Sequence, residues 1–170
     1  MKLRDYPVLS VLSVVYLGLI FGPAHAAEPG SQFQTSEKLG AVYQQYGASQ
    51  AVRAGDLIFI GGIVAMADDG STIAPHDGAG QGAVIYDYIA KLLAQHGADA
   101  RNVVSESLYI ANYDEYWKAA PVRQKFYDDA GAAYPSTVGF QVVALSAADY
   151  VFEVHLTAYV GPTAPGDSGD

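Results

Sequence analysis

The chain has 170 residues, a formal net charge of −9 and no cysteine. A chain this acidic repels phosphate backbones, and no basic stripe runs along it, so a nucleic-acid partner is not expected. The missing thiols exclude disulfides and cysteine nucleophiles, and indifference to an oxidising compartment follows.

Lys2 and Arg4 precede an apolar stretch over residues 8–21, and Ala24-His25-Ala26 is a small-x-small cleavage signal. The stretch has the length of a signal-peptide core and is short for a membrane span, so residues 1–26 are expected to be a secretory signal cut after Ala26. An uncleaved anchor is the rival reading. Cleavage predicts a secreted, periplasmic protein that makes no membrane contact afterwards. It leaves residues 27–170, enough for one domain with one core.

Residues 27–49 read as a lead-in segment, flexible at its polar start. The spacing then predicts strand–turn–strand over 52–62, with the turn at Ala54-Gly55-Asp56. The apolar run 57–60 fits a strand covered on both faces. Asp69-Gly70 between 63–66 and 71–74 signals a hairpin. Helical period over 78–96 puts Val84, Ile85, Tyr88, Ile89, Leu92 and Leu93 on one stripe, closed by Gly97. A strand over 103–111 precedes a second helix over about 115–129, whose early Pro121 implies a later start or a kink. Strands over 140–145 and 150–160 finish the domain, and 161–170 is a Gly/Pro/Asp tail expected to be disordered. Two helical stripes and one sheet give an α+β fold, a mixed sheet with two helices packed on one face. The opposite sheet face keeps apolar residues, which points to subunit contact.

Two segments carry a resemblance: Gln50-Ala51-Val52-Arg53-Ala54-Gly55-Asp56 with residues 57–62, and Tyr134-Pro135-Ser136-Thr137-Val138-Gly139-Phe140-Gln141-Val142-Val143-Ala144-Leu145. The chain resembles the Rid family of imine and enamine deaminases, the YjgF-type proteins, over residues 50–160. The resemblance implies a chorismate-mutase-like homotrimer around a central barrel, with a small-molecule pocket at each subunit interface. It also implies site positions. The family's carboxylate-binding Arg falls on Thr137, its Ser-Gly-Gln on Gly61-Gly62-Ile63, its pocket Tyr on Ala48 and its Asn on Ala120. Its last-strand Glu falls on Glu153, which is kept. An Arg grips a carboxylate through two parallel charged hydrogen bonds, whereas Thr offers one neutral hydroxyl. The small and apolar residues at 48, 61, 63 and 120 imply a wider, more apolar pocket.

Strand alternation puts Glu153 and His155 on one face of the last strand. A carboxylate beside an imidazole can hold a water and move protons near neutral pH; the plain alternative is a polar pair on a strand surface. Arg123, one helical turn beyond Ala120, is a candidate stand-in for the absent Arg; otherwise it pairs on the surface with Asp128 or Glu115. The many tyrosines read as an aromatic interfacial pocket or as packing. His76 and His96 stand in no metal-ligand spacing, so no metal is expected. No nucleophile elbow, phosphate loop or dinucleotide motif appears, and no cofactor is expected. Two functions stay open: hydrolysis of imine or enamine C=N bonds with Glu153 as the catalytic residue, and a non-catalytic small-molecule-binding trimer on the same scaffold. A chaperone-like trimer acting through its acidic surface is a third.

Overall fold

The computed structural model describes residues 30–162. The expected signal over 1–26 and the tail beyond Pro162 lie outside the described residues.

The elements are β1 (Ser31–Phe33), α1 (Glu37–Gln45), β2 (Ala51–Ala54), β3 (Leu57–Ile63), α2 (Gly78–Ala94), β4 (Val103–Ile110), α3 (Tyr113–Asp129), β5 (Ser136–Gln141) and β6 (Phe152–Tyr159). They form one mixed sheet in the order β1-β2-β3-β6-β4-β5. Only β4 and β5 pair in parallel, and α3 makes the crossover between them. The α+β fold is as expected. Helices α2 and α3 pack together over the sheet, and the core joins Ile85, Ile89, Leu92 and Leu93 to Ile58, Ile60, Val154 and Leu156.

The closeness of α2 to α3 explains glycines that no phosphate loop accounts for. A Cβ at Gly78 would collide with the Glu115 backbone carbonyl, and one at Gly82 would lie 3.0 Å from the Ala119 Cβ. Helix α3 begins at Tyr113, capped by the Asn112 side chain on Glu115 N–H at 3.2 Å, and runs on through Pro121.

Several expectations are corrected. The lead-in 27–49 contains β1 and α1, so the described part has three helices rather than two. One distant and one local contact order this segment: the buried Gln50 carboxamide oxygen accepts from Thr35 N–H at 2.7 Å, and the Ser36 hydroxyl caps α1 at Leu39 N–H at 3.0 Å. The hairpin over 63–74 shrinks to a single bridge, Met66 with Thr72. The strand expected over 140–145 lies earlier, at Ser136–Gln141, where β4 offers its parallel partner. The run 57–60 is covered on one face only: Ile58 and Ile60 are buried, Leu57 and Phe59 exposed.

A bulge interrupts β3. Ile60 pairs with Leu156 and Ile63 with Val154, so Gly61 and Gly62 together stand opposite His155. The extra residue shifts the phase of alternation. Before it the even positions Ile58 and Ile60 face the core; after it the odd positions Ile63 and Ala65 do.

Candidate functional site

Strand β6 alternates as its sequence demands: Phe152, Val154, Leu156 and Ala158 are buried, while Glu153, His155 and Thr157 point to the other, open face. There Glu153 Oε1 and His155 Nε2 lie 2.6 Å apart. The bulge in β3 makes room for this pair. Gly62, at φ 68°, adopts the left-handed conformation that side chains disfavour, and its Cβ position lies 4.0 Å from Glu153 Oε1. A Cβ at Gly61 would come within 3.0 Å of His155 Nδ1. The imidazole thus lies close to the space that the hydroxyl of a Ser-Gly-Gln motif would need.

Glu153 lines a cavity of about 330 Å³ together with Tyr43, Tyr46, Ala48, Gly62 and Tyr150. The Tyr43 hydroxyl donates to the Gly62 carbonyl at 2.7 Å. Burial, with a smaller contribution from the Glu153 charge, pushes that hydroxyl far above its usual range, so it stays protonated. Tyr150 is raised as well, again chiefly by burial. Gly61 and His155 line a second hollow on the open face, of about 310 Å³, with Ser105, Ser107 and Thr157.

The structure therefore brings Ala48, Gly62 and Glu153 to one cavity, with Gly61 and His155 beside it. Thr137 and Ala120 stand elsewhere in the subunit. Thr137 is on β5, two strands from β6, at a register position beside Glu106 on the helix-covered side. Ala120 is on α3.

Around Thr137 lies an arrangement that the sequence reading missed. Glu106, on β4, is fully buried. It accepts from the Tyr86 hydroxyl at 2.8 Å and from Arg123 Nε at 2.6 Å. Arg123 also donates to the Thr137 hydroxyl at 2.7 Å and lies 5.1 Å from the Tyr127 ring centroid. Burial alone would lower the Arg123 guanidinium; the charge and hydrogen bond of Glu106 outweigh it and hold it above its usual range. The expected surface partners of Arg123 are corrected: Glu115 pairs with Lys118, and Asp128 accepts from Tyr134. The available signal was Glu106 itself, a carboxylate in phase with Leu108 and Ile110 on the apolar face of β4. Among the described residues no cluster of side chains suited to a metal ion occurs.

A family model described as Endoribonuclease L-PSP matches residues 39–160. The chain belongs to this family, the YjgF/Rid family. No curated protein matches it. Solved Rid-family structures share the fold. One is Rv2704 from Mycobacterium tuberculosis, a member of the YjgF/YER057c/UK114 family: 23% identity, 78% of this chain and 100% of that one covered, TM-score 0.62. Another is E. coli TdcF with bound serine: 20% identity, 66% and 87% covered, TM-score 0.60. A Thermotoga maritima structure described as a putative endoribonuclease is 17% identical, with 68% and 87% covered and a TM-score of 0.59.

Proposed function

We propose that this Rid-family protein hydrolyses C=N bonds of imines or enamines at the cavity holding Glu153. The observation that carries this reading is the Glu153–His155 contact of 2.6 Å at the rim of a cavity shared with Ala48 and Gly62. In the proposed reaction Glu153 positions a water and takes its proton as the oxygen bonds to the imine carbon. Glu153 returns that proton to the nitrogen, and the resulting carbinolamine loses its hydroxyl proton as its C–N bond breaks, releasing ammonia and leaving a carbonyl. One water is consumed and no oxidant is needed. His155, hydrogen-bonded to Glu153, assists by orienting the carboxylate.

The reading includes a homotrimer with the pocket completed by a neighbouring subunit. Its support is the open sheet face, where Phe59 is 47% exposed and Phe140 46%. Sedimentation of the purified protein tests it; a monomer at micromolar concentration contradicts it. It also includes export through the signal at residues 1–26, tested by N-terminal sequencing of the mature chain. Ribonuclease activity, named in the family model's description, is not adopted: the net charge of −9 gives an RNA backbone nothing to bind.

The non-catalytic ligand-binding reading has its own support, the loss of a free cation at Thr137. The deciding experiment is hydrolysis of imines generated in situ by amino acid and amine oxidases, with Glu153→Gln alongside. Turnover that Glu153→Gln abolishes supports the hydrolase. No turnover from an intact, folded protein leaves the binding reading.

A further inference from the structure

The cavity is lined by one carboxylate, hydroxyls and aromatic rings. Glu153 supplies a carboxylate, and Tyr46, Tyr150 and Met66 surround it. Tyr43 spends its hydroxyl on the Gly62 carbonyl, so what it can offer a ligand is its ring. Among the described residues no Lys or Arg lines this space. Arg123, the basic residue nearest the position of the family anchor, is held by Glu106, Thr137 and the Tyr127 ring, and its side chain is only 15% exposed. A guanidinium neutralised in this way is not available to grip a second carboxylate, even if a neighbouring subunit brought it close.

Charge and shape agree on a ligand class. A carboxylate ligand would be repelled by Glu153, with no Lys or Arg among the described lining residues to offset it. A cationic nitrogen would meet a carboxylate and aromatic faces, a combination that favours ammonium groups. We infer that this cavity takes ligands bearing a positively charged nitrogen and no carboxylate, that is primary ammonium compounds and the iminium ions derived from them. The inference rests on the reading of the same cavity as the ligand site. It separates this chain from ligands recognised through an α-carboxylate.

The test is calorimetric titration of the full protein with three probes of one shape: phenethylammonium, 2-phenylethanol and 3-phenylpropionate. The ammonium probe is expected to bind about tenfold tighter than the alcohol, the scale of a partly desolvated cation–aromatic contact. The propionate is expected to bind weakest. Glu153→Gln should erase most of the ammonium preference over the alcohol. Tyr46 is 78% exposed, so Tyr46→Leu should fold and should reduce the same preference. Equal or tighter binding of the propionate overturns the inference, as do absence of ammonium binding and an ammonium affinity indifferent to both substitutions. Failure of the hydrolase reading looks different: the charge preference holds, but imines from amines and amino acids are both left intact. Equal hydrolysis of both imine classes keeps the hydrolase and overturns the charge preference.

Discussion

Arg123 donates to the Thr137 hydroxyl at 2.7 Å while its Nε bonds the buried Glu106 at 2.6 Å. A cation therefore stands beside the strand position where the Rid family is expected to carry one, but it comes from α3 and is already neutralised. Positive charge near this edge of the sheet serves the internal Glu106 pair.

Breaking that pair should be costly. Arg123→Met strands a carboxylate among Tyr86, Tyr127 and the sheet, and is expected to cost about 3 kcal/mol in urea unfolding. The double variant Glu106→Leu with Arg123→Met should recover most of the loss, because both charges leave together. A single variant as stable as the parent would show that the pair contributes nothing.

Restoring the family residue tests the replacement directly. Thr137→Arg alone brings two guanidinium groups together and should lower stability by about 1–2 kcal/mol. Combined with Arg123→Leu, the new side chain can meet Glu106, so the effects should be non-additive in a double-mutant cycle. Strict additivity would mean that 123 and 137 do not share Glu106.

The bulge can be probed at each glycine. Gly61→Ser places a Cβ within 3.0 Å of His155 Nδ1, and should shift the imidazole ¹⁵N resonances and weaken the contact with Glu153. Gly62→Ala forces a side chain onto φ 68° and should cost about 1–2 kcal/mol. Unchanged His155 resonances in Gly61→Ser would mean that the ring does not need that space.

His96 gives a pH-dependent prediction. Burial first, and then the Arg53 charge, hold its imidazole below the ordinary 6.5. The unfolded chain therefore binds the proton more readily. The contribution to stability is present above about pH 6.5 and is lost as pH falls through the lower folded value. Wild-type protein should thus lose more Tm than His96→Leu between about pH 8 and 5.5, a window above the usual carboxylate range. Equal losses would remove His96 as the cause.

Much of the fold was legible because burial follows period. The alternation of β6 and the stripe of α2 are written in single residues. Segment 27–49 was not read as structured: its one local signal is the Ser36 cap of α1, and the rest of its order comes from Gln50, Gln95 and the sheet edge. The run 57–60 misled because four consecutive apolar residues cannot say which face a subunit covers by itself. For the candidate site, spacing placed Glu153 beside His155, and the phase of β4 marked Glu106 as inward, but neither could name its cation 17 residues away. No local pattern announces a partner across a helix crossover.

The doubled glycine opposite His155 separates the length of the strand from the order of its interior. Deleting one of the two would leave a single residue opposite His155 and keep Ile63 opposite Val154, so Ile60 and Ile63 would still face the core. The loss would fall on the open face alone, where the backbone detour beside Glu153 and His155 would close. A one-codon loss here edits the site and spares the interior.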